Sequence, residues 1–368
     1  MLKRKSDVWL SIAVFALVAF GLIMIYSVSK YYSLQLTHEQ TDKYFLKKQL
    51  TSVLIGLVVW VVAQGIDYRV WVKHLDKLFY VTIGLLLLPI ILQPFGIAST
   101  GRWINLGFTS FQPAEVAKLT YLLYLCGWLA NKTKQAVPAG KLFWSVVAIL
   151  GTVAAIMMLQ KDLGTLLIFV VITAAVYFAS GAPVTNIVGG MGLGAFVVWL
   201  AIKIEPYRMQ RFLTFLNPED NALGSGYHIK NALIAIGSGG LWGLGFGQSK
   251  QKFLYLPEAH TDSIFAIIAE ELGMVRSMVV IAVFVFIAFR GFKIAERISD
   301  NFGKYLAIGI TSWIFFQMII NIGAMMSLVP LTGIPLPFIS YGGTSMIVLL
   351  AAVGILTNIS KSASSYEK

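Results

Sequence analysis

The sequence predicts an all-α, polytopic integral membrane protein with about ten transmembrane helices. The chain has 368 residues, of which 57% are hydrophobic and only 12% are charged, and its mean hydropathy is +0.77. A soluble domain carries roughly 25% charged residues, so the excess apolar surface must face lipid. The apolar residues also occur in long runs, and a helix needs about 20 such residues to cross the hydrocarbon core.

The apolar runs follow one another along the chain, and each predicts one span. We place the spans at 8–28, 49–66, 78–95, 113–130, 142–160, 162–180, 184–203, 264–290, 304–328 and 338–360. Tight turns, Lys161-Asp162 and Gly181-Ala182-Pro183, join the fifth, sixth and seventh spans. No low-complexity linker divides the chain, so we expect one domain over residues 1–368. The lack of an internal repeat disfavours an inverted-repeat transporter.

The positions of the basic residues predict the orientation. With the N-terminus inside, the cytoplasmic segments hold 15 of the 29 Lys and Arg residues, and the short outer loops hold 6. This excess predicts that both termini are cytoplasmic. Membrane orientation and anionic headgroups then explain the net charge of +12, and no nucleic-acid partner is implied.

One extracytoplasmic loop, 204–262 between spans seven and eight, is far longer than the others. Its Gly, aromatic and apolar residues predict an ordered segment on the membrane, with a short interfacial helix at 227–236. Arg208 and Arg211 could bind lipid phosphate non-specifically or form a forked site for one pyrophosphate. The glycine run 237–247 lacks the Lys-Ser/Thr of a nucleotide loop, so it predicts a tight chain path.

Polar residues cluster around the start of the fourth span. Gln112 precedes a proline that is suited to the first helical turn, and Glu115 and Lys118 lie one turn apart on one face. They could form only a local ion pair. Alternatively, Lys118 faces a polar cavity with Arg102 above it. A charge within a span is costly, which favours a functional role for both basic residues.

Three titratable residues, Glu258, His260 and Asp262, alternate just before the eighth span. Asp262 could simply cap that helix. The alternative is a general base at a cavity rim, which would take a proton from a substrate hydroxyl. Asp162 is a second carboxylate candidate with the same cap alternative. No further His or Cys converges on His260, so we expect no protein-held metal site.

The last outer turn contains Pro335, Pro337, Ser340, Gly342 and Gly343. Prolines interrupt a helix, and glycines allow backbones to approach closely. Non-helical backbone at membrane depth must be buried or line a cavity. We therefore expect this turn to close one side of the site.

Four ordered motifs resemble the SEDS family (shape, elongation, division and sporulation) over nearly the whole chain. They are Arg102-Trp…Gln112-Pro-Ala-Glu115-x-x-Lys118, Tyr207-Arg-Met-x-Arg211, Tyr255-Leu-Pro-Glu-Ala-His-Thr-Asp262 and Pro337-x-Ile-Ser-Tyr-Gly-Gly343. Ala259 favours the division branch over the elongation branch, in which Arg is usual. The chain departs from the family pattern at Ser263, Lys161 and Thr332, none of which is a proposed catalytic group.

The resemblance implies a peptidoglycan glycosyltransferase of the bacterial inner membrane that polymerises lipid II in cell division or wall synthesis. Asp262 would be the general base, and Arg102, Lys118, Arg211 and Lys48 would hold the polyprenyl pyrophosphate of the donor. It also implies a class B penicillin-binding protein and other division or elongation proteins as partners. No cofactor is required, and a divalent cation (Mg²⁺ or Mn²⁺) is left open. A lipid II flippase and a non-catalytic division scaffold are the alternatives.

Overall fold

The computed structural model describes residues 6–38, 40–99, 101–105, 107, 110–216 and 224–363. In these ranges, ten apolar helices coincide with the predicted spans and pack into one bundle. They are α1 (Val8–Leu36), α2 (Tyr44–Gly65), α3 (Leu75–Leu92), α4 (Pro113–Lys134), α5 (Ala139–Leu159), α6 (Leu163–Ala179), α7 (Val184–Ile204), α10 (Ile264–Arg297), α11 (Asn301–Met325) and α12 (Gly343–Ala363).

The prediction of a multi-pass membrane protein is confirmed. Seven segments of the described chain are long and apolar enough to cross a membrane, and α6 and the Val184–Leu200 part of α7 are shorter apolar helices. The remaining helix, α4, has the necessary length but is more polar, because Glu115 and Lys118 lie in its first turns. As predicted, residues 160–162 and 180–183 form the tight turns on either side of α6.

Helices α11 and α12 lie at the centre of the bundle. Their most apolar windows are 78% and 83% buried. Helix α12 packs along α2, and glycines on both helices allow the close approach. A β-carbon on Gly56 would lie 2.6 Å from a methyl of Leu350, and one on Gly354 would lie 2.7 Å from the backbone oxygen of Trp60. By contrast, α7 has no buried residue among those described, so it presents its apolar side chains to lipid.

The two ends of the bundle differ in what they hold. At one end, the backbone N–H of Asp7 donates to the Ser360 hydroxyl at 2.9 Å, and Arg290 forms an ion pair with the Asp7 carboxylate at 2.6 Å. This end, where α1 begins and α10 and α12 end, is called the terminal face. Because α10 spans the bundle, Asp262, just before its first residue, lies at the opposite end, which is called the distal face.

Some boundaries differ from the prediction. The prediction that the last span begins at residue 338 is wrong: α12 begins at Gly343, and Phe338 has a positive φ of 63°. Residues 338–340 are buried as irregular backbone, which hydropathy alone does not distinguish from a helix. At the other end of the chain, α1 continues to Leu36, well beyond the predicted residue 28.

The connections also contain structure that the sequence did not predict. Between α3 and α4 lies a small antiparallel sheet in the order β1 (Ala98–Ser99), β2 (Trp103–Asn105) and β3 (Ser110–Phe111). A 3₁₀ helix, Tyr68–His74, precedes α3. The long loop contains α8 (Pro206–Leu216) and α9 (Ser225–Gly239), and α9 includes the predicted helix at 227–236. Residues 217–223 of that loop lie outside the described residues.

Candidate active site

Asp262 is held at the distal face by its backbone. Its carbonyl accepts a hydrogen bond of 2.7 Å from the side-chain amide of Asn321 on α11, and the same amide donates to the Ile334 carbonyl at 2.8 Å. Asn321 therefore joins the segment that carries Asp262 to the loop that follows α11. The Asp262 carboxylate faces this loop, since a β-carbon on Gly333 would lie 3.8 Å from Oδ2.

The Asp262 carboxylate does not cap α10. Ser263 occupies the N-cap position and makes no side-chain cap bond, and Asp262 accepts a long hydrogen bond of 3.3 Å from the Thr261 hydroxyl. Burial and then the negative charge of Glu258 raise the pKa of Asp262 to about 7, although Thr261 and the charge of Arg211 oppose the rise. A carboxyl group with a pKa near neutrality can take and return a proton. The geometry thus favours the base over the cap.

Glu258 lies at the turn before Asp262. It is exposed, has a positive φ of 49°, and accepts a hydrogen bond of 2.7 Å from the Thr261 hydroxyl. Its backbone carbonyl accepts hydrogen bonds from the N–H groups of Thr261 and Ser263, both at 3.1 Å. Glu258 therefore shapes the turn and also sets the charge around Asp262.

His260 is enclosed by aromatic side chains. Its ring centroid lies 4.4 Å from Phe45, 5.0 Å from Tyr32 and 5.6 Å from Tyr341. Its backbone carbonyl accepts a 2.9 Å hydrogen bond from the Tyr341 N–H. Burial lowers the pKa of His260, which Glu258 partly offsets. A neutral, buried imidazole fits a packing group that fixes the loop, and its predicted contact with substrate stays a prediction.

Two arginines of α8 approach the site differently. Arg211 is exposed, and its positive charge acts on both Asp262 and His228. Arg208, one turn earlier, is buried and donates to the Met158 carbonyl at 3.4 Å. Arg211 is therefore the arginine of this pair that is open to an anionic ligand at the distal face, while Arg208 ties α8 to the end of α5.

The other basic candidates, Arg102 and Lys48, lie on separate elements. Arg102, in the turn between β1 and β2, donates to the Gln160 carbonyl at 3.0 Å and also to the Lys161 carbonyl. Lys48, on the first turns of α2, lies 4.5 Å from the ring centroid of Tyr44. Both residues are partly exposed, so each retains surface for a ligand.

Lys118 is buried and paired. It is 1% exposed and lies 2.8 Å from Glu115, 3.4 Å from the Gln317 side-chain oxygen and 5.0 Å from the ring centroid of Trp313. The geometry matches the local ion pair rather than a lysine that points into an open cavity. One carboxylate oxygen of Glu115, Oε2, has no hydrogen-bond partner among the described residues. Gln112 is also buried, with its N–H 3.3 Å from the Thr344 hydroxyl.

The loop between α11 and α12 closes against α2, as expected for one wall of a site. Gln49 donates to the Ser340 carbonyl at 3.4 Å and accepts from the Gly342 N–H at 3.1 Å. The Ser340 hydroxyl accepts a hydrogen bond from the Leu336 N–H at 2.8 Å. A β-carbon on Gly343 would lie 2.7 Å from the Ser52 hydroxyl. Ser340, Gly342 and Gly343 thus hold the wall in place, while any contact with substrate stays a prediction.

A break in α10 lies three turns below Asp262. Gly273 has φ 78° and ψ 174°, which interrupts the helical hydrogen bonds that would join residues 274 and 275 to 270 and 271. The glycine run 237–247 satisfies all four freed backbone groups. The N–H groups of Met274 and Val275 donate to the carbonyls of Gly240 and Leu241. In the other direction, the N–H groups of Leu244 and Gly245 donate to the carbonyls of Glu270 and Glu271. All four hydrogen bonds measure 2.9–3.2 Å.

Glycine is required where these backbones meet. A β-carbon on Gly243 would lie 2.3 Å from the Glu271 carbonyl oxygen, and one on Gly239 would lie 2.0 Å from the Ala269 carbonyl oxygen. The glycine run is therefore a tight chain path, as its composition predicted. It fixes the direction of the first segment of α10, 264–272, which follows Asp262.

Buried side chains anchor the loop 249–263 to the same segment. Lys252 forms an ion pair of 2.8 Å with Glu271, and the Ser27 hydroxyl on α1 donates to Glu271 at 3.2 Å. Glu270 accepts hydrogen bonds from the Ser249 hydroxyl and from the N–H groups that follow it. Both glutamates are no more than 1% exposed. The loop that carries Asp262 is thereby held at its beginning as well as at its end.

Asp162 is the cap of α6. Its carboxylate accepts hydrogen bonds from the Thr165 N–H at 3.1 Å and from the Thr165 hydroxyl at 2.9 Å, and it is 5% exposed. The cap alternative therefore accounts for this residue. Among the described residues, no three His, Cys, Asp or Glu side chains lie close enough to hold a metal ion.

The sequence interpretation missed three polar residues that build the site. Gln317 and Asn321 lie one turn apart on α11 and bind the loop after that helix, with Gln317 donating to the Pro335 carbonyl at 2.9 Å. Two amides at this spacing within an apolar span are a signal that could have been used. His228 on α9 contacts the Ser263 hydroxyl next to Asp262, and nothing in its local sequence indicated this.

These features define a class of protein: a multi-pass membrane protein with a weakly hydrogen-bonded carboxylate, Asp262, and exposed basic side chains at one end of its helix bundle. Comparison with known families then identifies the chain. It matches the FTSW_RODA_SPOVE family, described as cell cycle protein, over residues 8–365, and it belongs to that family. The resemblance to the SEDS family is thereby confirmed.

Curated relatives and solved structures agree with this assignment. The chain is 38% identical to stage V sporulation protein E of Bacillus subtilis, over 98% of each chain. It is 36% identical to the probable peptidoglycan glycosyltransferase FtsW of Trichlorobacter lovleyi, over 97% of this chain and 93% of the relative. A chain from the structure "Structural coordination of polymerization and crosslinking by a peptidoglycan synthase complex" superposes with a TM-score of 0.75 at 25% identity and 99% coverage of both chains.

Proposed function

We propose that this chain, a peptidoglycan glycosyltransferase of that family, polymerises lipid II with Asp262 as the general base. The activity class is supported by the names of its curated relatives. One observation carries the role of Asp262: its carboxylate stands at the distal face, caps no helix and has a pKa raised to about 7. Such a group is partly ionised at neutral pH and can accept a proton.

In the reaction, Asp262 takes the proton of the acceptor sugar's 4-hydroxyl. The hydroxyl oxygen then attacks the anomeric carbon of the donor glycan, and the bond from that carbon to the pyrophosphate breaks. The pair of electrons leaves with the polyprenyl pyrophosphate, whose growing negative charge needs positive partners. The backbone anchors on Asn321 and the turn at Glu258 hold the carboxylate in place for this transfer.

Arg211 is the cation that best fits contact with the leaving pyrophosphate, because it is exposed and its charge reaches Asp262. Arg102 and Lys48 are partly exposed, and we assign them further contacts with the pyrophosphate. Lys118 already pairs with Glu115 and contacts Gln317, so we assign it a supporting role below the rim. A divalent cation, Mg²⁺ or Mn²⁺, could accompany the pyrophosphate, and polymerisation in the presence of EDTA tests this.

We propose that the chain lies in the bacterial inner membrane. The distribution of Lys and Arg supports cytoplasmic termini and a distal face on the outside. We further propose a class B penicillin-binding protein as partner. The similar solved chain comes from a complex that coordinates polymerization and crosslinking, which supports this partner.

The test is glycan polymerisation from labelled lipid II by purified protein in detergent, with the transpeptidase present and absent. Asp262→Ala should abolish polymer, and Asp67→Ala is the control, since Asp67 is an exposed aspartate at the terminal face. Thermal unfolding should show that both variants are folded. Equal polymerisation by Asp262→Ala and the native protein would overturn the assignment of the base. No polymer from the native protein under any condition would favour a lipid II flippase or a non-catalytic scaffold.

A further inference from the structure

A groove runs along the bundle between α1 and α10, away from the candidate active site. It consists of two adjoining cavities, of about 280 Å³ and about 270 Å³, that share Trp9 as a lining residue. The first lies between the first turns of α1 and the middle of α10, and the second opens at the terminal face. The two halves differ sharply in chemistry.

The inner half is entirely apolar. Its lining includes the small residues Ala13 and Ala16 on α1 and Ala282 on α10, with larger side chains such as Val279 and Phe286 beside them. Val279 is 60% exposed and Phe286 is 39% exposed, so this half is open to the surroundings of the bundle. An open apolar channel on a membrane-facing surface fits a hydrocarbon chain.

The outer half combines apolar residues with polar and charged ones, and three of its four charged residues are basic. Arg290, Lys293 and Arg297 line it at spacings of three and four residues, which places them on one face of α10. Asp7 is the acidic lining residue, and it forms an ion pair with Arg290 at 2.6 Å. The ion pair fixes the Arg290 guanidinium against the wall and offsets one of the three positive charges. Basic residues therefore outnumber acidic ones among the described residues that line this half.

Trp9 stands where the halves meet and is 63% exposed. Tryptophan is enriched at the level of lipid headgroups, where one part of its ring is apolar and its N–H is polar. The basic half then lies at headgroup depth and the apolar half lies in the hydrocarbon region. This order, phosphate-binding cations outside and an apolar channel inside, matches the two ends of one lipid molecule.

We propose that this groove is a binding site for one anionic phospholipid. Its phosphate would lie against Lys293 and Arg297, and one acyl chain would occupy the channel beside Ala282. This site is separate from the candidate active site and does not depend on the proposed function. It would join α1 to the last turns of α10, the helix that Asp262 precedes.

Lipid binding can be measured by native mass spectrometry and thermal unfolding of the delipidated full chain in detergent. The probes are phosphatidylglycerol, phosphatidylcholine and inorganic phosphate. Phosphatidylglycerol should bind at one saturable site and raise the unfolding temperature. The double variant Lys293→Gln/Arg297→Gln should weaken this binding about tenfold or more, since each basic residue near the headgroups contributes to anionic-lipid affinity.

The matched control is Lys132→Gln/Lys134→Gln, which removes two positive charges from the last turn of α4. It should leave phosphatidylglycerol binding unchanged. Ala282→Trp fills the apolar half without altering charge, and it should weaken phosphatidylglycerol binding as well. Equal weakening by the control would overturn the site.

Two other outcomes would also overturn the proposal. Inorganic phosphate that binds as tightly as phosphatidylglycerol would indicate a site for free phosphate, in which the apolar half has no part. Phosphatidylcholine that binds as tightly, with only Ala282→Trp reducing it, would indicate a purely apolar docking face, open to any lipid or to a helix of another protein.

Discussion

Asp162 and Asp262 occupy similar places in the sequence, each just before an apolar helix, yet they are bound differently. Asp162 accepts two hydrogen bonds from Thr165 and is buried as the cap of α6. The N-cap position of α10 is occupied by Ser263, and the Asp262 carboxylate accepts a long hydrogen bond from the Thr261 hydroxyl. Position before a helix therefore does not decide the role of an aspartate, whereas the hydrogen bonds made by its carboxylate do.

The difference has a physical cause. Hydrogen bonds to a carboxylate stabilise its ionised form. The hydrogen bond that Asp262 accepts from Thr261 is long, and burial and Glu258 outweigh it and raise the pKa of Asp262 to about 7. Asp262 is thus available for proton transfer, while Asp162 serves the fold.

The same substitution at both positions should separate these roles most strongly. Asp262→Asn removes the base and should reduce polymerisation by a factor of about 10²–10⁴, the range for general-base catalysis. Asp162→Asn should change it less than about twofold, because Asn caps a helix as well as Asp does. Polymerisation rates of both purified variants measure the contrast. A similar loss at both positions would show that Asp162 also acts in the reaction.

A third carboxylate, that of Glu271, is stabilised by an ion pair with Lys252 rather than by capping a helix. Lys252→Met would leave Glu271 buried without its cation, which costs about 3–5 kcal/mol in the free energy of unfolding. Lys250→Met is the control, because Lys250 is the exposed neighbour. Thermal unfolding measures both. Adding Glu271→Gln to Lys252→Met should restore part of the loss, and no recovery would mean that the charge is not the cause.

Removing the cap of α6 should have a smaller effect. Asp162→Ala deletes both hydrogen bonds to Thr165 and should lower the free energy of unfolding by about 1 kcal/mol, the usual value for a lost N-cap. Denaturant or thermal unfolding in detergent measures the change. The folded fraction of this variant should polymerise normally. A large loss of rate at full folding would contradict a purely capping role.

The pH dependence of polymerisation tests the role of Asp262. Asp262 must be ionised to act as a base, so polymerisation should rise with pH through about 7. Glu258→Gln removes a charge that raises the pKa of Asp262. The rising limb of the pH–rate profile should therefore move to lower pH. Glu296→Gln, an exposed change near the terminal face, should leave the limb in place. An unchanged limb in Glu258→Gln would mean that another group controls the rate.

Because proton binding by Asp262 is linked to folding, its raised pKa also makes the free energy of unfolding depend on pH. The folded-state pKa of Asp262 lies above the ordinary value of 3.8, so the folded protein binds the proton more tightly than the unfolded chain does. The contribution of Asp262 to stability is therefore greatest at low pH and is lost as the pH rises through about 7. Asp262→Asn should flatten that part of the unfolding profile.

The structural features that depend on residues close together in the sequence could be predicted from it. The cap at Asp162 binds Thr165, three residues away, and the pair of Glu115 and Lys118 lies within one turn of α4. The number and order of the spans follow from hydropathy, which is also a local property. These features could be predicted because no knowledge of the tertiary fold is needed to place their partners.

The rest depends on partners far along the chain. Asp262 is anchored by Asn321, 59 residues away, and Gln49 binds Ser340, 291 residues away. Only the fold brings such pairs together. The start of α12 was misplaced for a related reason: Phe338 and Ile339 are apolar because they are buried inside the bundle, not because they are helical.

The break at Gly273 has a consequence for biosynthesis. A helix with freed N–H and carbonyl groups is costly to insert into lipid, because no water is present to bind them. The glycine run that satisfies these groups, 237–247, precedes α10 in the chain and is therefore translated first. The backbone groups that bind the freed N–H and carbonyl groups of α10 are thus synthesised before α10 itself. Helix α10 can therefore complete its hydrogen bonds as it enters the membrane.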